Sequence, residues 1–253
     1  MRKLFAAIMA AGAAAFAGPV VAADLPFYPP VIEVPDVDYG VSGAFYLRGS
    51  AAGNMLWSKE ANAYECLAPC GGLVVTQFPF VNMGYGYSVG AGFGYETGTG
   101  LRFDATVDYL ANNGLKVTKG PAYGARAGDY TVNLRSTLAL ANVYYDFSLE
   151  GGQYGYGAAG GAFGYVGAGA GLAYNQVDVS APAGVVVPSG SNTSFAAAGM
   201  VGVGYDFGSV VADVGYRGVY IAQLSNSAAV PNHVWADNNW VHEVRGTLRY
   251  RFN

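Results

Sequence analysis

The side chains best able to take a proton or hold a metal near neutral pH are few: His233, His242, Cys66 and Cys70. Hydrolysis needs a nucleophile, a base and an orienting group within reach of one another. His242 has no serine two positions along to share its strand face. A heme iron takes His or Tyr, but His233 beside Trp235 reads more simply as a polar loop residue. Cys66 and Cys70, in "ECLAPC", have no His or carboxylate pattern around them that would complete a zinc site. They predict a small disulfide, worth about 2 kcal/mol on the loop-entropy argument. The remaining candidates for acid–base chemistry are Asp104 and Asp108, on one parity of "LRFDATVDYL". Arg102 sits beside them on the same parity, so ion pairing is the expected role. The sequence therefore predicts no catalytic residue, no cofactor site and no metal site.

These charges need an element that presents them on one face. Successive strand side chains point to opposite faces, and "LRFDATVDYL" sets Leu101, Phe103, Ala105, Val107 and Tyr109 against Arg102, Asp104, Thr106 and Asp108. Similar alternation recurs in "GAFYLRGSAAGN", "GYGYSVGAGFGYE", "YTVNLRSTLALANVYYDF", "YVGAGAGLAYN", "FAAAGMVGVGYDF", "VVADVGYRGVYI" and "WVHEVRGTLRYRF". In "YTVNLRSTLALANVYYDF", Val132, Leu134 and Leu138 oppose Asn133, Arg135 and Thr137, with a bulge expected near Ala141 where the phase is lost. Long polar connections are predicted at about 55–81, 112–128, 176–194 and 222–238, alternating with shorter ones. An uncharged stretch over 151–177 is long enough for a spanning helix, but its ten glycines would each cost a helix about 1 kcal/mol relative to alanine.

Composition says which face meets what. The chain is 52% hydrophobic and only 12% charged, where soluble domains carry about 25% charged residues. Its net charge of −4 supplies no basic face for nucleic acid. Apart from Lys3, the lysines are Lys59, Lys116 and Lys119, all in predicted loops, whereas exposed soluble strands usually carry lysine. The strands carry arginine, whose planar fork suits confined ion pairs. We therefore expect a lumenal network of Arg48, Arg102, Asp104, Asp108, Arg135, Asp213, Arg217, Glu243, Arg245, Arg249 and Arg251, with the apolar parity facing lipid. Folding about residue 230 sets Arg217 opposite Glu243 and Asp213 near Arg245 and Arg249, and folding about 121 brings Asp108 near Arg135. Backbone groups in lipid must all be paired, so such a sheet has to close. The predicted fold is all-β: an eight-stranded antiparallel transmembrane β-barrel, an up-and-down meander over 43–253.

Residues 1–23 read as a secretory signal peptide: basic Arg2 and Lys3, an apolar run, then a small-residue cleavage site. Residues 24–42 are Pro-rich and acidic, which predicts an extended periplasmic arm. Even strand number with alternating short and long connections is the pattern of outer-membrane barrels, placing the chain in the outer membrane of a Gram-negative bacterium.

The segments "AADLP", "FYLRGS", "ANVYYDF", "YVGAGAGLAYN", "DVGYRGVYI" and "EVRGTLRYRFN" resemble the small outer-membrane β-barrel proteins of alphaproteobacteria. That is the OmpA-like or opacity-porin-like barrel superfamily, with surface-antigen and hemin-binding relatives. The resemblance implies a structural and surface role with four extracellular loops and no catalysis. It equally allows a narrow porin-type diffusion channel, or loop-mediated binding of hemin or a host surface. It implies outer-membrane lipid, lipopolysaccharide and the barrel-assembly machinery as partners, with Tyr250 and Phe252 as the assembly signal; it names no external ligand. Here Asn253 follows the aromatic residue on which the family usually ends.

Overall fold

The computed structural model describes residues 43–66, 72–149 and 161–252. The expected signal peptide, the arm, Cys70 and Asn253 lie outside these, as does the side chain of Cys66, and with them the disulfide. Among the described residues ten strands form: β1 (Ala44–Trp57), β2 (Glu60–Cys66), β3 (Leu73–Pro79), β4 (Gly84–Glu96), β5 (Leu101–Lys119), β6 (Gly128–Ser148), β7 (Gly161–Ser180), β8 (Gly190–Asp206), β9 (Val210–Ser225) and β10 (Val234–Phe252). Eight of them close an antiparallel ring, β1-β4-β5-β6-β7-β8-β9-β10, with β10 returning to β1 from Phe45↔Phe252 to Trp57↔Trp240. The ring leaves no unpaired wall edge, which is the condition for a sheet in lipid. β7 takes up most of the uncharged, Gly-rich stretch for which a helix was the rival.

The remaining two strands change the expected first loop. β2 and β3 form a hairpin outside the ring, and β2 joins β10 through Asn62↔Trp235 and Ala63↔Val234. "LVVTQFP" is rich in β-branched residues and pairs readily. β5 and β6 also outrun their expected ends, leaving only a short 3-10 turn, Pro121–Arg126, between them. A tilted strand crosses a bilayer in about 9–11 residues, so strands of 19 and 21 residues project beyond it at the end carrying the long connections. We call that the loop end, and the opposite one the turn end.

The outward face is an apolar wall: Leu47, Val89, Val107, Val143, Val166, Val201, Val214, Val244 and Leu248 are all exposed. Aromatic rings flank it, with Phe45, Phe93, Tyr95, Phe103, Tyr205 and Phe252 towards the turn end. Trp57, Tyr85, Tyr87, Tyr174 and Trp240 lie towards the loop end. A band between two aromatic girdles is the lipid-facing surface of a transmembrane barrel.

Strand β6 corrects the expected facing. Leu134, Ser136, Leu138, Leu140, Asn142, Tyr144 and Asp146 are buried and share the inward parity, while Arg135, Thr137, Ala139 and Val143 point out. The alternation runs through Ala141 without a bulge; the register shift lies on β5, between Asn112 and Leu115, where Gly114 has φ +89°. The assumption that apolar means lipid-facing fails here because the loop half of the lumen is itself apolar. Leu56, Leu110, Leu115, Leu134, Leu138, Val219, Ile221 and Val241 pack there as one buried cluster.

Candidate functional site in the barrel lumen

Below that apolar layer the lumen is ionic. At mid-height Arg217 and Arg245 bridge Asp108 and Glu243 in a closed square. Arg217 donates from Nε to Glu243 Oε2 (2.6 Å) and from Nη1 to Asp108 Oδ2 (2.7 Å). Arg245 donates from Nη1 to Asp108 Oδ1 (2.7 Å) and from Nη2 to Glu243 Oε2 (3.0 Å). Ser88 Oγ donates to Glu243 Oε1 at 2.6 Å and accepts from Asn54 Nδ2 at 2.9 Å. Two carboxylates and two guanidiniums cancel, so the square is neutral although all four side chains are at most 5% exposed.

A second group lies nearer the turn end. Arg48 donates to Asp104 at 2.8 Å and to Tyr144 Oη at 2.8 Å, while Tyr46 Oη and Asn142 Nδ2 also donate to Asp104 (2.9 and 2.7 Å). Arg102 grips Asp146 with Nε and Nη2 (3.1 and 3.0 Å) and lies over the Tyr144 ring, 4.0 Å from its centroid. Arg249 stands among Glu96, Asp146 and Asp213 at 3.4–3.7 Å. Arg251 closes the turn end against Glu96 and Asp206. The structure thus brings together Arg48, Arg102, Asp104, Asp108, Asp213, Arg217, Glu243, Arg245, Arg249 and Arg251. Arg217 stands opposite Glu243 in the register, and Asp213 reaches Arg249, whereas Arg245 goes to Asp108 and Glu243.

Arg135 is the exception and a correction. It points outward, its side chain 56% exposed, and reaches Asp178 at 3.4 Å, while the β6 neighbour of Asp108 is Leu138. Its position, level with Ala111 and outward Tyr87, lets the long stem lie on the wall and the head reach water. Arg135→Ala should therefore shift unfolding free energy by no more than about 1 kcal/mol. Arg217→Ala, which leaves Arg245 alone against two buried carboxylates, should cost about 3–5 kcal/mol. Urea titration of the two variants side by side checks the assignment.

The network also depends on what β4 lacks. Its inward face is almost all glycine, and a Cβ on Gly90 would lie 1.9 Å from Asp108 Oδ1. Asp108 is held by both arginines and cannot swing aside without breaking the square. Gly90→Val should fold poorly or show a weakened square, read as a lower urea midpoint than a lipid-facing control, Ala91→Val.

Sequence reasoning missed Tyr46, Asn142, Tyr144 and Asp146. The cue was the spacing of Ser136, Asn142 and Asp146, which put Leu134, Leu138 and Leu140 on the polar parity. Candidate chemistry elsewhere is occupied. His242 sits on the outer wall with Tyr216 Oη 2.5 Å from its Nδ1, a polar pair satisfied within itself. His233 packs beside Trp235 with ring centroids 4.9 Å apart. Tyr250 and Phe252 face outward in an edge-on ring pair.

Among the described residues the ionic region retains a cavity of about 10 Å³, lined by Arg48, Arg102, Tyr144, Asp213, Arg217 and Arg245. That is room for about one water molecule.

A scan against protein-family models finds no match, and a search of curated proteins finds none. Among solved structures the chain is similar to Neisserial surface protein A: 23% identity, TM-score 0.47, covering 82% of this chain and 97% of that one. It is similar to the outer membrane protein OprG from Pseudomonas aeruginosa, at 15% identity and TM-score 0.49 over 86% and 100% of the two chains. Ail, the attachment invasion locus protein of Yersinia pestis, follows at 12% identity and TM-score 0.39, over 83% and 99%. The fold itself rests on the closed ring, the apolar belt and the aromatic girdles: this chain is an eight-stranded transmembrane β-barrel.

Proposed function

We propose that the protein is an integral outer-membrane barrel with a structural and surface role, closed to solutes, without catalysis, and displaying its long connections at the cell surface. The observation that carries this is the filled lumen. An ion-paired floor, an apolar layer and a second apolar cluster under the loops succeed one another along the axis. Eight strands give an interior that side chains can fill, unlike the wide barrels of porins. The second cluster includes Phe78, Val117 and Tyr130, with Phe80, Val185, Val187 and Val234 packed on it. Of "FPFVNM", "AGVVVP" and "AVPNHVW", the loops use Phe78, Phe80, Val185, Val187 and Val234 on one another, while Val81, Met83, Val186 and Val230 stay exposed. Even strand number and the short-turn, long-loop alternation support the outer membrane as the location and the loop end as the outside.

Planar-bilayer recording tests the reading. The refolded barrel, verified by a gel shift between unboiled and boiled samples, should add no conductance above baseline. Steady single-channel openings from the wild-type chain would put the narrow channel first.

A further inference from the structure

All three tryptophans of the chain gather in one place. Trp57, Trp235 and Trp240 line a cleft of about 470 Å³ at the loop-end girdle, together with Asn62, Gln77 and Asp237. The cleft exists because the wall parts there. β10 pairs with β1 as far as Trp57↔Trp240 and with β2 from Asn62↔Trp235 in the same register, while the β10 residues between, among them Asn238 with φ +56°, pair with neither. That segment is pinned to β9: Tyr220 Oη donates to Asn238 Oδ1 (2.7 Å) and Gln223 Nε2 donates to Asp237 Oδ1 (3.0 Å).

A girdle role would spread the tryptophans around the circumference, as the tyrosines and phenylalanines are spread. Instead two adjacent wall strands, β1 and β10, carry every indole, around a volume in the range of small-molecule sites. The indole faces are π-rich and attract the C–H edges of a ring lying flat on them. The amides of Asn62 and Gln77 both donate and accept, and the Asp237 carboxylate accepts, as hydroxyl groups require. Charge narrows the class further. Lys59, on the rim and 3.8 Å from Glu60, is outnumbered by Glu60 and Asp237, so a phosphate or sulfate would meet a net negative wall. We propose that this cleft binds the neutral sugar headgroup of a glycolipid in the surrounding leaflet, the pyranose ring stacked on indole and its hydroxyls held by Asn62, Gln77 and Asp237. The cleft opens on the outer wall, between outward-facing Trp57 and Trp240, where a headgroup lies.

Because no other tryptophan exists, intrinsic emission reads the cleft directly. The full chain is placed in phosphatidylcholine nanodiscs with increasing monoglucosyl-diacylglycerol. The expected result is a saturable blue shift, weakened at least tenfold in Asp237→Ala and in Trp235→Ala, both still shifting on an unboiled gel. No saturable shift overturns the proposal, and so does a shift that both variants retain. An equal response to phosphatidylglycerol overturns it in favour of anionic lipid. A response to free maltotriose but not to the glycolipid overturns it in favour of a soluble saccharide. None of these outcomes depends on whether the barrel conducts.

Discussion

Glu243→Ala should lower the unfolding free energy by about 3–5 kcal/mol and still leave the bilayer current at baseline. Glu243 accepts from Arg217, Arg245 and Ser88 and is 1% exposed. Without it the square keeps two guanidiniums and one carboxylate, an uncompensated positive charge with no bulk water to screen it. Glu243→Gln keeps the shape and the Ser88 contact but not the charge, so most of the loss should persist. The conductance half follows from the layer above. Even with the floor loosened and hydrated, Leu56, Leu110, Leu138, Val219 and Val241 still close the axis, and they have no link to the missing carboxylate. Urea titration in vesicles gives the first quantity and planar-bilayer recording the second. A variant with wild-type stability would show that the square does not hold the barrel together. A variant that conducts would show that the ions alone close the lumen.

That two-layer closure was only half legible. The ionic half was readable because arginine and carboxylate recur on one parity of strands with an apolar opposite face, as in "LRFDATVDYL". The apolar half was hidden because lipid and a packed lumen select the same residues. On β6 the leucines and Arg135 compete for the inward face, and residue type alone favours the wrong answer. Polar residues farther along the same strand, Asn142 and Asp146, resolve it, since period two cannot change without a bulge. The bulge expected at Ala141 belonged on β5, beside Gly114, where the sequence offers a residue that takes positive φ without strain. The tryptophan cleft was not legible at all. Trp57 lies far in sequence from Trp235 and Trp240, and only ring closure brings them together.

The hairpin over the loop end supplies the second large effect. β2 meets the ring through a short pairing with β10 and, at its other end, through Glu65, which is 3% exposed. Glu65 pairs with Lys119 on β5 and with Arg126 at 3.3 Å. Lys119 also lies among rings, 4.5 Å from the Phe78 centroid and 4.8 Å from that of Tyr130. One lysine therefore serves both the buried carboxylate and the apolar cluster beneath the hairpin. Lys119→Ala removes the stacking and leaves Glu65 with an arginine that is itself 53% exposed. Breaking a buried pair costs about 3–5 kcal/mol, and with Arg126 still in place roughly 2 is expected here. That penalty falls on local opening of β2–β3, because the ring does not run through the hairpin. An opening free energy lower by about 2 kcal/mol raises the open population roughly 30-fold. External protease should then cut within residues 60–79 about that much faster, with the gel shift of the ring unchanged. Lys119→Arg, which keeps the charge and can still stack, should restore most of the protection. Cleavage at the wild-type rate in Lys119→Ala would mean that the pairing with β10 and the apolar cluster hold the hairpin down without the lysine.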